Sequence, residues 1–260
     1  MTSKDKAPAK YRAPALDKGL DIIELLASAR RPLSIADISE GVGRSRGEIF
    51  RMLQVLEERD YISRGEGDIG YSITPRLFRL GMEQPRVKSA VETALPIMHR
   101  LAEEIDQSCH LVAPSGDQIV VIARVDPPGD VGLVVRIGHH RPMCQSTSGH
   151  VLLAWQETPI RERWLEQAGP SLDKRKLLKS IQHIQAQGYA SHPSREVDGV
   201  TDLSAPVIEN GRAVCALTIP FIERRSSSKS IDFALKHLKQ ATAKISYALL
   251  YGNAEKKDGC

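Results

Sequence analysis

Two helix-start signals separated by a glycine-containing turn are the feature of this sequence that most limits its fold. Ser34 is followed three residues later by Asp37, and Ser45 is followed in the same way by Glu48. In such a capping box the hydroxyl and the acidic side chain each accept a hydrogen bond from a backbone N–H at the start of the helix. The first helix is predicted to be short and to end at the glycines of 40–45. A short and a longer helix joined in this way predict a helix-turn-helix unit.

A helix before this pair and a hairpin after it complete the first part of the chain. The apolar residues that recur at helical spacing in the first helix are Leu16, Leu20, Ile23 and Ala27. They predict one amphipathic helix that ends before Pro32. After the pair, residues 61–62 and 69–73 read as short strands about a glycine-rich turn at 65–68. Such a hairpin is the wing of a winged helix-turn-helix.

Beyond Pro75 the pattern changes to helices that alternate with Val- and Ile-rich strands. The predicted elements are a long helix over 87–105, strands over 109–116, 117–125 and 131–138, helices over 148–155, 158–167 and 173–188, strands over 188–192, 201–209 and 212–221, and a helix over 230–252. The first three strands are separated by short Pro- and Gly-containing turns and predict an antiparallel meander. The chain is therefore expected to have an α+β fold with a central antiparallel sheet in its second part.

These patterns predict five segments. They are a flexible arm (1–13), a winged helix-turn-helix domain (14–75), a helical linker (76–86), a larger α/β domain (87–252) and a disordered tail (253–260). The arm carries basic residues among small residues and prolines, and this composition cannot bury enough apolar surface to become ordered.

Composition limits the class of protein further. A formal net charge of +4 permits nucleic-acid binding but is too small to establish it. No run of about 18 apolar residues could span a bilayer, and the charged N-terminus lacks the apolar core of a secretory signal. We therefore expect a cytoplasmic protein without a membrane partner. The four cysteines, Cys109, Cys144, Cys215 and Cys260, form no CxxC pair and are expected to be reduced thiols.

The order of these motifs resembles the IclR family of bacterial transcriptional regulators, from about Pro14 to Gly252. The segments that carry the resemblance are ALDKGLDIIELL, SRGEIFRMLQVLEERDYI, RPMCQSTSGHVLLA, the Gly188–Tyr189 pair, Gly199 and Ala205–Val207. The resemblance implies a GAF-like C-terminal effector domain that binds a small organic acid and oligomerises. It also implies that dimers, or dimers of dimers, bind operator DNA. His150 stands where lysine is common in the family, so the effector of a better-known relative cannot be transferred to this chain.

The second helix of the pair is the expected recognition helix, because such a helix enters the major groove and presents its N-terminal and outward side chains to the bases. The candidate DNA-binding residues are Arg44, Ser45, Arg46, Glu48, Arg51 and, in the wing, Arg64. Arginine can donate two hydrogen bonds to guanine, and a helix N-terminus can hold a phosphate. The alternative is that Ser45 and Glu48 only cap the helix and that the arginines are solvated surface groups.

The effector pocket is predicted around the loop that precedes the helix at 148–155. Ser146, Thr147 and Ser148 provide hydroxyls at a helix start, where backbone N–H groups favour a carboxylate. The family resemblance adds positions on the facing sheet, namely Leu133, Val135, Val200, Asp202, Cys215, Thr218 and Pro220. The alternative for Thr147 and Ser148 is a helix N-cap without a ligand.

The second part of the chain contains several histidines, but their spacing does not predict a metal site. His110, His139, His140, His150 and His192 lie there with Cys109 and Cys144, yet no two-ligand motif recurs at a metal-binding spacing. We predict no metal and no cofactor. His139 and His140 are interpreted as loop surface or as a cation that binds the acid.

Catalysis has no candidate residues in this sequence. The sequence contains no GxSxG, HExxH or P-loop motif, and no GxGxxG between a strand and a helix. The predicted function is a ligand-responsive regulator of a catabolic operon that senses a small organic carboxylic acid, with an aromatic acid ranked ahead of a glyoxylate-like one. Its predicted partners are pseudo-palindromic double-stranded operator DNA, the acid, and further copies of the chain. Two alternatives stay open: a small-molecule-binding or catalytic α+β protein whose N-terminal unit contacts other proteins, and a metal- or redox-sensing repressor.

Overall fold

The computed structural model describes residues 13–65, 70–129, 132–167, 173–224 and 229–252. The chain divides into two compact units, with the boundary between Gln84 and Pro85. The elements of the N-terminal unit are α1 (Pro14–Ser28), α2 (Ile35–Val42), α3 (Arg46–Glu58), β1 (Ile62–Arg64), β2 (Tyr71–Ile73) and α4 (Arg76–Met82).

Both predicted capping boxes are present and set the starts of α2 and α3. The hydroxyl of Ser34 accepts a hydrogen bond from the N–H of Asp37 at 3.2 Å, and that of Ser45 accepts one from Glu48 at 3.4 Å. Gly43 ends α2 in the left-handed region, with a φ of 64°, a conformation that glycine adopts without steric cost. The helix-turn-helix prediction is therefore confirmed.

The core of the N-terminal unit consists of one face of each of the first three helices and the hairpin. Its buried members are Ile22, Leu26, Ile38, Ile49, Leu53, Leu56, Ile62 and Tyr71. The predicted apolar face of α1 is wrong, because Leu16 and Leu20 are 61% and 46% exposed. The helix carries two overlapping apolar stripes, and packing against α2 and α3 selects the one that contains Ile22 and Leu26.

The wing is an antiparallel hairpin. Ile62 pairs with Ile73, and Arg64 pairs with Tyr71. Leu33, before α2, exchanges two backbone hydrogen bonds with Tyr71, at 2.9 and 2.7 Å. These bonds attach the hairpin to the start of the helix pair. The predicted glycine-rich turn lies outside the described residues, apart from Gly65.

The C-terminal unit is a helix-covered antiparallel sheet. Its elements are α5 (Pro85–Ile105), β3 (Cys109–Ser115), β4 (Gln118–Val125), β5 (His140–Pro142), a 3-10 turn (Met143–Gln145), α6 (Thr147–Ala154), α7 (Thr158–Gln167), α8 (Lys174–Gln187), β6 (Ala190–Pro193), β7 (Val200–Glu209), β8 (Arg212–Ile222) and α9 (Ile231–Gly252). The strand order is β5-β4-β3-β8-β7-β6, with antiparallel neighbours throughout. The predicted α+β class and central antiparallel sheet are confirmed.

The predicted strand over 131–138 is wrong. Residues 132–136 form irregular chain, and the strand that pairs with β4 on the side away from β3 is β5, which begins at His140. Before β5, the N–H of Gly138 donates to the carbonyl of Val121 at 2.8 Å. The hydroxyl of Ser108 donates to the carbonyl of Leu133. An apolar run of this length is compatible with a buried strand or with a cavity wall, and periodicity does not distinguish the two.

Helices cover both faces of the sheet. Because alternate residues of a strand point to opposite faces, Cys109 and Val112 of β3 face different helices. The Sγ atom of Cys109 lies 3.6 Å from the carbonyl oxygen of Met98 in α5, whereas Val112 belongs to a buried cluster with α6 and α8. Helices α5 and α9 pack on each other and on the first of these faces.

Two predicted segments lie largely outside the described residues. They are the arm at 1–13, of which only residue 13 is described, and the tail at 253–260. Within the ranges that the structure describes, no helix is long and apolar enough to cross a membrane.

Candidate functional site

A concavity of about 590 Å³ lies beside the outward face of α3. The described residues that line it come from the start of α2, from α3 and from the hairpin: Ser34, Ile35, Ala36, Arg46, Gly47, Phe50, Arg51, Arg64, Gly70 and Tyr71. We call this surface the α3 concavity. The structure thus brings together three of the predicted DNA-binding residues, namely Arg46, Arg51 and Arg64.

The three arginines reach the α3 concavity from two elements. Arg46 and Arg51 are exposed on α3, whose buried side carries Ile49 and Leu53. Arg64 lies at the end of β1, with its guanidinium carbon 5.3 Å from the centre of the Tyr71 ring. A cation over an aromatic face is attracted by the ring electrons, which orients the side chain. Arginine side chains therefore line the concavity on two sides.

Glu48 and Ser45 are engaged within the protein. The carboxylate of Glu48 accepts hydrogen bonds from Lys18 Nζ at 2.9 Å, from the N–H of Ser45 at 3.1 Å and from the Ser45 hydroxyl at 2.9 Å. The Lys18 bond, followed by the bonds from Ser45, lowers the pKa of Glu48 to about 2. These contacts favour the capping role that the sequence left open for both residues.

Arg44 lies outside the lining of the α3 concavity. It follows the left-handed Gly43, and its N–H donates to the carbonyl of Ser39 at 3.0 Å. Phe50, in contrast, lines the concavity and is 46% exposed, and the sequence analysis missed it. The available signal was an aromatic residue four positions after Arg46, off the buried stripe of α3.

A second cavity, of about 300 Å³, lies in the C-terminal unit on the face of the sheet that α6 covers. Eight of the ten predicted effector residues line it: Leu133, Val135, Ser146, Thr147, Ser148, Asp202, Thr218 and Pro220. We call it the C-terminal cavity. Its apolar wall includes the irregular segment that replaces the predicted strand.

The first turn of α6 forms one wall of the C-terminal cavity. Ser146 is the N-cap, and its hydroxyl accepts a hydrogen bond from the N–H of Gly149 at 3.0 Å. The first N–H groups of a helix have no partner within the helix and carry the positive end of its dipole. Thr147 and Ser148 therefore lie where an anion is favoured.

Cationic side chains outnumber carboxylates around the C-terminal cavity. Arg136, Arg141 and Arg195 line it together with Glu196 and Asp202. Arg141 forms an ion pair with Glu196 across the cavity lining. These arginines were not predicted from the sequence, because they lie on the short strand β5 and in loops, where no periodicity indicates the direction of a side chain.

Burial shifts the pKa of several residues that line the cavity, Asp202 and His110 among them. It raises the pKa of Asp202 to about 6, against the opposing effect of Arg141. It lowers the pKa of His110 to about 4, with a smaller contribution from His139. His110 is therefore a neutral imidazole at pH 7. Next to it across the sheet, Thr218 shares a hydrogen bond of 2.9 Å with Ser204.

Val200 and Cys215 lie outside the lining that the described residues form. Cys215 is 3% exposed and is an odd-numbered residue of β8, whereas Thr218 and Pro220 point into the cavity, so alternation turns Cys215 to the other face. Val200 lies at the far end of β7, paired with Ile222. The structure therefore does not bring these two predicted positions into the described lining of the cavity.

The histidines named in the sequence analysis separate in the structure. His139 lines the C-terminal cavity, and His140 is exposed on β5. The Nε2 atom of buried His150 bonds the carbonyl of Cys144 at 2.9 Å, and its ring lies edge-on to His192. In the described part of the chain, no three His, Cys, Asp or Glu side chains cluster as metal ligands would.

Comparison with known proteins agrees with both units. A sequence model of the IclR helix-turn-helix domain matches residues 15–66, and one of the C-terminal domain of the bacterial transcriptional regulator IclR matches residues 87–247. The chain belongs to the IclR family. It is a helix-turn-helix transcriptional regulator of this family, with a DNA-binding unit and an IclR-type C-terminal domain.

Individual members of the IclR family match nearly the whole chain. The regulator KdgR of Escherichia coli is 26% identical over 242 residues, which cover 90% of this chain and 92% of KdgR. The regulator TtgV of Pseudomonas putida is 28% identical over 246 residues, 92% of each chain. A crystal structure of an IclR homologue from Microbacterium hydrocarbonoxydans complexed with 4-hydroxybenzoate has a TM-score of 0.76 at 19% identity and covers 90% of this chain and 98% of its own. At that identity the likeness concerns the fold alone.

Proposed function

We propose that this IclR-family protein binds pseudo-palindromic operator DNA through the α3 concavity and changes its DNA affinity when a small carboxylic acid fills the C-terminal cavity. The operon that it controls encodes catabolism of such an acid. Binding to a pseudo-palindrome requires two copies of the recognition helix, so the active form is a homo-oligomer, a dimer or a dimer of dimers. The protein acts in the cytoplasm, where the operator is.

The position of three arginines in one concavity carries the DNA-binding half of the proposal. Arg46 and Arg51 project from the outward side of α3, and Arg64 faces them from the wing. Arginine binds phosphate and the guanine edge in two-pronged geometry. The near-balance of charges in the whole chain does not oppose this role, because these three arginines lie together on one surface.

The excess of arginine around the C-terminal cavity carries the sensing half. Three arginines and the start of α6 face two carboxylates, one of which, Asp202, has a pKa of about 6. This environment favours an anion. The volume of about 300 Å³ is at the lower end of the range for small-molecule sites, which is about 300–1,000 Å³, and its apolar wall suits a ring.

We infer an aromatic carboxylate as the effector class. An IclR homologue with the same fold has been crystallised with 4-hydroxybenzoate. In this chain, Leu133, Val135 and Pro220 would contact the ring, and Arg141 with the first turn of α6 would hold the carboxylate. Neutral His110 and the Asp202 carboxyl provide hydrogen bonds for a second polar group.

DNA binding by the Arg51→Ala variant tests the proposal. The probe is DNA selected from a random pool by the wild-type protein, and binding is measured by fluorescence anisotropy at several salt concentrations. We expect Arg51→Ala to lose about tenfold or more in affinity, since a good arginine–base contact contributes about 1–3 kcal/mol. Arg175→Ala, on the exposed side of α8, is the matched control and should bind like the wild type.

Titration of 4-hydroxybenzoate into the same DNA complexes tests the sensing half. A concentration-dependent change in DNA affinity is expected for the wild type and for the control variant.

Undiminished DNA binding by Arg51→Ala would remove that residue from the interface. Absence of selective DNA binding at every salt concentration would refute the regulatory proposal and favour an N-terminal unit that contacts proteins.

A further inference from the structure

Phe50 is the one aromatic residue of α3; its side chain is 46% exposed and lies in the α3 concavity. The buried stripe of the helix is complete without it, because Ile49, Leu53 and Leu56 provide the contacts with the core. Single exposed apolar side chains are common on protein surfaces, but this one lies among exposed arginines on the outward side of the predicted recognition helix.

The surroundings of Phe50 leave it open to a partner in the groove. Arg46 precedes it by one helical turn, so the two side chains are neighbours on the helix surface. Gly47 and Arg51 complete the same patch. A Cβ atom added at Gly47 would meet nothing within 4 Å, so packing does not require glycine there. Because Gly47 has no side chain, the protein surface beside the Phe50 ring is recessed.

The chemistry of the major groove restricts what Phe50 can contact. The base edges there are mainly hydrogen-bond donors and acceptors, and the C5-methyl group of thymine is their largest apolar group. Phenylalanine has no hydrogen-bonding group, and placing its ring against a polar edge would leave that edge unsatisfied at a cost. Among the unmodified bases, the thymine methyl group therefore offers the ring the most apolar surface to cover.

We propose that Phe50 reads a thymine through its C5-methyl group while the arginines around it hold the phosphates and guanine edges. This inference rests on the proposed DNA binding and adds to it the identity of one recognised base, thymine. Specificity at one position of each half-site then comes from apolar contact, and the contact is independent of salt, unlike those of Arg46 and Arg51.

Replacement of thymidine by deoxyuridine tests the assignment, because it removes only the methyl group. The probes are the DNA selected by the wild-type protein and copies in which single thymidines are replaced. The wild type should lose about fourfold in affinity at one position per half-site, which corresponds to the roughly 0.8 kcal/mol of burying one carbon. Phe50→Ala should bind both probes equally, because the methyl group has lost its partner.

Two further variants separate the methyl contact from general damage to the helix. Val55→Ala removes the other exposed apolar side chain of α3, which is 47% exposed and lies outside the α3 concavity, and it should keep the full methyl effect. Phe50→Leu retains an apolar surface and should keep most of it. Circular dichroism of each variant is expected to match that of the wild type, since neither position is buried.

The outcomes distinguish this inference from the DNA-binding proposal. If the wild type binds selected DNA but is indifferent to every thymidine replacement, the inference fails and the proposal stands. If Phe50→Ala keeps the methyl effect, the effect arises from DNA shape and the assignment to Phe50 fails. Loss of all DNA binding by Phe50→Ala at low salt would also overturn the assignment. At low salt most of the affinity for DNA is electrostatic, and a methyl contact cannot supply it. A wild type that selects no DNA refutes both.

Discussion

Glu48 lies at the start of the recognition helix, yet its carboxylate is satisfied inside the protein. Lys18 of α1 and Ser45 provide three hydrogen bonds to it. An unsatisfied carboxylate here would repel DNA phosphates, and an engaged one repels them less because its charge is balanced by Lys18. The residue therefore joins α1 to α3, a role that sequence spacing within one helix could not indicate.

The ion pair gives Glu48 an acid-dependent contribution to stability. Its pKa falls from 4.5 to about 2 in the folded protein, so the stabilisation is present above pH 4.5 and is lost as the pH falls towards 2. We expect the side-chain carbon resonance of Glu48 to titrate near pH 2 and the midpoint to rise in Lys18→Met. Lys88→Met, in the C-terminal unit, should leave the midpoint unchanged. An unmoved midpoint in Lys18→Met would assign the shift to Ser45 alone.

At the scale of elements, the two capping boxes show what local sequence specifies well. In each box, two side chains three residues apart accept hydrogen bonds from N–H groups that have no partner within the helix. The residues that specify the start of the helix therefore lie within one helical turn. The strand predicted over 131–138 shows the opposite case. Its apolar run became part of a cavity wall, because the place in the sheet beside β4 is taken by β5 and by the turn at Gly138.

Removal of the α3 cap tests the element that presents the arginines. Ser45→Ala should lower the free energy of unfolding of the N-terminal unit by about 1 kcal/mol, the usual loss for an N-cap serine. Hydrogen–deuterium exchange of the α3 amides in the full chain measures it, since faster exchange reports easier opening. Ser45→Thr keeps a capping hydroxyl and should exchange nearly as the wild type does. Equal protection in Ser45→Ala and the wild type would contradict a stabilising cap.

At the scale of the whole molecule, the proposed regulation requires that acid binding and DNA binding influence each other. Linkage makes the effect reciprocal: the factor by which the acid changes DNA affinity equals the factor by which DNA changes acid affinity. Arg141 is suited to test acid binding. Its ion pair with Glu196 can also be broken by a substitution at Glu196, which leaves the Arg141 cation in place.

We expect Arg141→Gln to weaken 4-hydroxybenzoate binding by about tenfold or more, since hydrogen bonds to charged groups contribute about 1.5–3 kcal/mol. Glu196→Gln breaks the same pair but leaves the Arg141 cation in the C-terminal cavity, and it should bind the acid at least as well as the wild type. The shift of the thermal unfolding midpoint on adding the acid measures binding by each variant, because ligand at 100 times its Kd adds about 2.7 kcal/mol of stability. Equal weakening in the two variants would mean that the ion pair, and not the cation, supports the site.

The sequence by itself determined the helix-turn-helix, its caps, the outward side of α3 and the α+β class, because each of these depends on residues a few positions apart. Only the tertiary structure decided which stripe of α1 is buried, that Cys215 faces away from the C-terminal cavity, and that Arg136, Arg141 and Arg195 converge on it. These outcomes depend on which elements pack together across long stretches of chain. Periodicity within one element says that a face is apolar, but the neighbour that covers it is set by the fold.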